Sequence, residues 1–221
     1  MTPRFIQTGL VAAALLALPL TAQAADLPNT YKSQPSYAPL ARSWSGFYAG
    51  INGGYGFGKS NWDSPVVSPS PKGALVGLTL GYNFQYNSWL FGVEGDWDLS
   101  TMKGSIACGG GTCETKNTWL GTARGRIGYA FDNFLPYFTA GLGMGDIKGT
   151  NSNLATTGSK TKAGLAIGAG LEYAFMGNWS AKIEYLYVDL GKFDCGIACG
   201  ATVDNISFNA NIIRAGLNYR F

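Results

Sequence analysis

The sequence predicts an all-β fold: an eight-stranded antiparallel transmembrane β-barrel with short periplasmic turns and four long extracellular loops. Three observations predict it. Apolar and polar residues alternate with period two from Trp44 to the final residue, Phe221. The connections between alternating segments are short and long by turns. An export signal at the N-terminus directs the chain out of the cytoplasm.

The export signal has three parts. Met1–Arg4 supplies positive charge, Leu10–Leu20 is an apolar run of eleven residues, and Ala22-Gln23-Ala24 is a small-x-small cleavage site. A helix that spans a bilayer needs about 20 apolar residues, so this run reads as a signal peptide over residues 1–24. No Cys follows the cleavage site to carry a lipid anchor. Residues 25–43 are polar, contain three prolines and lack periodicity, and read as a flexible periplasmic leader. The barrel is expected over residues 44–221. Losing Arg4 leaves 15 basic against 13 acidic side chains, a balance with no nucleic-acid footprint.

The strands follow in order. In the first, Phe47, Ala49, Ile51, Tyr55 and Phe57 lie on one face. The second opposes Val76, Leu78, Leu80, Tyr82, Phe84 and Tyr86 to Thr79, Asn83 and Gln85. The third sets Phe91, Val93, Trp97 and Leu99 against Glu94, Asp96 and Asp98. The fourth sets Trp119, Ala123, Ile127 and Tyr129 against Thr122, Arg124 and Arg126. The fifth alternates Phe138, Ala140, Leu142 and Met144 with Tyr137, Thr139 and glycines. Leu165, Ile167, Leu171, Tyr173 and Phe175 oppose Glu172 in the sixth, and Ile183, Tyr185 and Tyr187 oppose Lys182 and Glu184 in the seventh. The last sets Ile213, Leu217, Tyr219 and Phe221 against Arg214, Asn218 and Arg220.

Turns are expected at Asn87-Ser88, Asp132-Asn133 and Met176–Asn178, and long loops near residues 59–72, 101–115, 148–160 and 191–205. A soluble barrel would turn its apolar face inward. Here ten charged residues share the polar face and aromatics cluster at strand ends, as a lipid-facing surface requires.

The C-terminal stretch NIIRAGLNYRF ends on an aromatic, with Tyr219 two residues before Phe221, and resembles the signal read by the barrel assembly machinery. Together with WSGFYAGINGGYGFG, RGRIGYAF, LPYFTAGLGMGDIK and LEYAFMGNWSAKIEYLYVDLG, it makes residues 44–221 similar to the small porin-like, opacity-type outer-membrane β-barrels. That family includes outer-membrane immunogenic surface proteins of Gram-negative bacteria. The resemblance implies eight strands with both termini in the periplasm.

The inward set is Glu94, Asp96, Asp98, Glu172 and Glu184 against Arg124, Arg126, Lys182, Arg214 and Arg220. An eight-stranded barrel is just wide enough for side chains to fill, so these ions are expected to pair across the lumen and plug it. Glu172 is expected opposite Lys182, and Arg124 and Arg126 near Glu94 and Asp96. A selective pore would carry an excess of one sign.

The chain has no histidine, which removes Ser-His and Cys-His catalysis. No metal site or cofactor is expected. The paired acids lie beside arginines, which reads as structure rather than acid–base chemistry. Glycine clusters such as GLGMG lie within strands, not at the strand-to-helix junction that a phosphate cradle needs.

Cys108 and Cys113 share one loop, and Cys195 and Cys199 another. In an exported chain, disulfides are expected. Local pairing is the simplest of three connectivities; cross-loop pairing and a four-thiolate zinc site are the alternatives. The loops contain no His or Tyr and only Met102 near a loop start, a poor set for holding haemin, although Trp62 could stack on its ring.

The expected role is a structural, surface-exposed protein of the outer-membrane lipid bilayer. The alternatives are a small porin for ions or solutes, or a receptor or adhesin for a host molecule or a small ligand such as haemin.

Overall fold

The structure is a computed structural model that describes residues 42–62, 66–108, 111–152, 156–194 and 205–221. The signal peptide, nearly all of the leader, and Cys195 and Cys199 lie outside the described residues. The strands are β1 (Gly46–Trp62), β2 (Lys72–Tyr86), β3 (Trp89–Ser100), β4 (Lys103–Cys108), β5 (Gly111–Tyr129), β6 (Phe134–Asn151), β7 (Thr156–Met176), β8 (Trp179–Asp194) and β9 (Asn205–Arg220).

Eight of them close into a ring. Each strand pairs antiparallel with the next around the order β1-β9-β8-β7-β6-β5-β3-β2, and β2 returns to β1. Closure leaves the ring no free edge, which is what a hydrocarbon environment demands of a sheet. The short connections are tight hairpins whose backbones need a left-handed residue: Asn87 (φ 53°), Asp132 (φ 51°) and Gly177 (φ 48°).

The alternation resolves as expected for the outer face. Phe47, Ile51, Leu80, Val93, Phe138, Leu142, Ile183 and Ile213 are all more than half exposed, and aromatics gather toward the strand ends. At the turn end Trp89 packs edge-on to Tyr129, and Trp179 edge-on to Tyr219, with ring centroids 5.4 and 5.1 Å apart. An apolar outer wall with aromatic margins is a lipid-facing surface.

The loop end departs from the expectation of four polar loops. β4 is a ninth strand within the span read as loop 101–115; it forms a hairpin with the extended start of β5. β6 and β7 stay paired as far as Asn151 and Thr156. The strands thus continue past the apolar band as a paired wall. Alternation of apolar side chains could not reveal this, because polar residues on both faces erase it.

Candidate functional site

The lumen is filled in three layers. At the turn end, Trp44 folds under the barrel beside Leu90, Leu135 and Ala174, all buried. Its indole donates to the Asp132 carbonyl (2.9 Å), and its backbone N–H donates to the Gln85 side chain (2.7 Å).

The middle layer is ionic. Register places Glu94 opposite Arg124 on adjacent strands, and the Arg124 guanidinium donates to Glu94 (2.6 Å), to Asp96 (2.5 Å) and to Glu184. Arg126 pairs with Glu172 and lies 3.9 Å from the Tyr137 ring centroid, a cation–π contact. Arg214 reaches Asp96 at 2.9 Å, Asp98 at 3.2 Å and Glu184 at 3.3 Å. Lys182 crosses the lumen to Glu94 at 3.0 Å. Neutral donors complete the carboxylate shells: Tyr48 on Glu94 (2.7 Å), Thr79 and Thr122 on Asp96 (both 2.8 Å), and Asn218 on Glu172 (2.9 Å). Buried charge is tolerable only when paired and hydrogen-bonded in this way.

Glu172 and Lys182 stand opposite in register, as expected, yet each takes its ion-pair partner elsewhere, Arg126 for Glu172 and Glu94 for Lys182. Long side chains in a narrow barrel reach across the bore as readily as along the wall. One expectation needs correction. Arg220 is no lumen ion pair: it is half-buried at the turn-end mouth, with no acidic group within 4 Å among the described residues. As the last paired residue of β9, it sits below the plane of the carboxylates. The network therefore joins five carboxylates to four cations.

The third layer, toward the loop end, is apolar and was not anticipated. Trp62, Leu75, Met102, Leu120, Ile147, Leu186, Val188, Leu190, Phe208 and Ile212 are buried together, with the Cys108–Cys113 disulfide packed among them. Leu120 faces inward in step with Thr122 and Arg124, and a bulge between Asn117 and Leu120 shifts the phase so that Cys113, Thr115 and Asn117 face inward before it. Trp62 is 2% exposed and donates to Thr115 (3.1 Å), so its ring is not presented for stacking on a haemin. Met102 is equally enclosed.

Tyr48 and Tyr137 are the functional groups that sequence reading undervalued. Both are inward positions whose neighbours are glycines, and both hydroxyls serve acids of the network. An inward aromatic among glycines was the available signal.

Comparison with known proteins bears on this barrel directly. A family model described as the outer membrane protein beta-barrel domain matches residues 10–221. The chain belongs to that family. Within the family, it is 40% identical to the 31 kDa outer-membrane immunogenic protein of Brucella melitensis, over 91% of this chain and 94% of that one. It is 36% identical to the 25 kDa outer-membrane immunogenic protein of Brucella abortus, over 96% of each. A 22 kDa outer membrane protein of Rhizobium leguminosarum is 33% identical, over 82% of this chain and 80% of its own. Among solved structures, Neisserial surface protein A aligns at 18% identity over 80% of this chain and 98% of its own, with TM-score 0.50. The outer membrane protease OmpT of Escherichia coli aligns at 10% identity over 80% and 97%, with TM-score 0.52. These two likenesses are to the fold. The protein is an outer-membrane β-barrel.

Proposed function

We propose that this barrel is a non-enzymatic structural and surface-presenting protein of the outer membrane whose lumen is closed to solutes. The observation that carries this is the burial of an ion-pair layer, with Arg124, Glu94, Asp96, Lys182 and Glu184 side chains all at 0% exposure, between two apolar layers. An ion path needs water or a continuous polar lining. The apolar layer around Ile147, Leu186 and Phe208 supplies neither.

In this reading the hairpin turns and the N-terminal segment face the periplasm, and the β4–β5 hairpin faces outward. The naming of the relatives as immunogenic fits a loop end displayed at the cell surface. Short turns on the periplasmic side and long excursions on the other are the general arrangement of bacterial barrels.

Conductance in planar bilayers tests closure. The purified barrel is expected to be silent, and steady single-channel steps from the parent protein would replace this reading with that of a small porin. Labelling of intact cells by a membrane-impermeant maleimide tests orientation. Val66→Cys, at an 88% exposed site of the loop end, is expected to label, and Asn133→Cys in a hairpin turn is expected not to. The opposite pattern would invert the topology.

A further inference from the structure

A row of lysines runs across neighbouring strands at the loop end. Lys72 pairs with Lys103, Lys103 with Lys116, and Lys116 with Lys148, so the row crosses β2, β4, β5 and β6. Residues directly opposite in an antiparallel pair project from the same face. That face is the outer one, because Lys72 keeps the phase of the exposed Val76 and Leu78, and Lys148 that of Leu142 and Met144. Lys59 of β1 extends the row, one outward position beyond Phe57, the partner of Lys72. Across these five strands the row spans roughly 19 Å.

Like charges placed directly opposite on a sheet destabilise it, and here the arrangement recurs three times in succession. Glu114 answers Lys103 at 3.0 Å, and Asp146 answers Lys148 at 3.7 Å. Lys59, Lys72 and Lys116 have no acidic group within 4 Å among the described residues. Such a row calls for anions from outside the chain.

Its height on the wall identifies them. Directly below lie the Tyr55–Phe57 ring pair (5.0 Å between centroids) and the exposed Val76, Leu99 and Met144, the upper margin of the apolar band. A lysine there rests its stem on apolar surface and lifts its ammonium into the headgroup layer. A soluble polyanion would be met better by charges at the loop tips than on the side wall. The opposite flank is poorer in positive charge: the outward positions at this level are Ser159 and Thr161 on β7, Ser207 and Asn209 on β9, and on β8 Asp189 and a single lysine, Lys192.

We propose that this lysine row is a docking surface for the phosphate-bearing headgroups of the outer-leaflet amphiphile, bound along the β1–β6 flank. The inference rests on the orientation given above, in which the loop end faces outward.

The test uses the refolded full barrel in zwitterionic micelles, with bisphosphorylated lipid A as probe and retained lipid counted by native mass spectrometry. The measurement is independent of which end faces the cell exterior, so its failure is distinguishable from failure of the orientation, which the maleimide labelling reads. The parent is expected to retain lipid A less as salt rises. Changing Lys59, Lys72 and Lys116 together to Gln is expected to weaken retention at least about tenfold, and changing all three to Arg to preserve it. Heat-modifiable migration confirms folding of both variants. Undiminished retention by the Gln variant, or equal retention of dephosphorylated lipid A by the parent, would overturn the proposal. So would a parent that ignores lipid A but binds a heparin fragment through these lysines.

Discussion

Lys182 of β8 and Glu94 of β3 meet at 3.0 Å although their strands stand on opposite sides of the ring, four strands apart in either direction. A bond between diametrically opposed strands ties the barrel across its full bore. Removing Lys182 leaves five buried carboxylates facing three arginines, an excess of buried charge that costs far more than losing a surface pair. Lys182→Met is therefore expected to destabilise the barrel by roughly 3–5 kcal/mol. Adding Glu94→Gln should recover part of that loss, because it lowers the excess of buried carboxylate while its amide oxygen can still accept from Arg124. Urea titration in lipid vesicles measures both, and equal stability of the single and double variants would mean the two groups are not coupled.

The layered lumen also changes what the arginines are expected to control. From sequence alone, Arg124 and Arg126 looked like the plug itself. With the apolar layer above them, Arg124→Ala with Arg126→Ala should lower stability yet leave the bilayer current silent. Current should appear only when Phe208→Ala and Leu190→Ala open the loop-end layer as well, since both side chains are about 1% exposed within it. Conductance of the arginine pair alone would show that the ionic layer is the sole seal.

Tyr48 and Gly81 make a finer prediction. A Cβ built on Gly81 would stand 2.3 Å from the Tyr48 ring, so the ring lies flat against the glycine and its hydroxyl reaches Glu94. Gly81→Ala must push the ring away and strain that 2.7 Å bond. The expected cost is about 1–3 kcal/mol, typical of overpacking. Tyr48→Phe in the Gly81→Ala background should then cost less than in the parent, a non-additivity that paired unfolding curves would read.

How far the sequence carries depends on which question the alternation answers. It places Glu94, Arg124 and Glu172 on the inner face and Leu80, Val93 and Ile183 on the outer one, because a period of two assigns faces and nothing else. It cannot assign depth. Leu186, Val188 and Phe208 face inward although they are apolar, because they lie at the level where the lumen is lined by other apolar side chains. An outward reading of such residues follows naturally from the assumption that everything inward is polar. Thr115 and Asn117 were hidden for a second reason, since the bulge before Leu120 puts their inward side chains out of step with Thr122 and Arg124. Partner choice across the bore was hidden for a third. Register fixes neighbours on the wall, whereas Lys182 and Arg126 select acids by reach.

The Cys108–Cys113 bridge closes a five-residue span in the β4–β5 hairpin, and Cys113 is wholly buried. A loop this short yields only about 2 kcal/mol by the chain-entropy account, and the strain of reduction falls on the hairpin rather than the ring. Replacing both cysteines with Ala is expected to raise amide exchange in β4 and at the start of β5. Exchange in β7 and β8 should not change, and neither should the heat-modifiable gel shift. A collapse of the entire barrel on reduction would show that the hairpin is integral to ring closure.

Phe221 separates stability from assembly. It is 76% exposed, its ring lies 5.3 Å from Tyr219, and its N–H donates to the Phe47 carbonyl at 2.9 Å. Those contacts are few, so deleting Phe221 should cost the refolded barrel about 1 kcal/mol, the scale of one edge hydrogen bond and a ring contact. In cells the expectation differs. If the terminal aromatic is what the assembly machinery reads, the deletion should sharply reduce the membrane-inserted fraction while in vitro refolding yield stays near that of the parent. Phe221→Tyr keeps an aromatic ring and should insert normally, whereas Phe221→Ser should behave like the deletion. Parallel losses in cells and in vitro would assign Phe221 to the fold; a loss confined to cells would assign it to recognition.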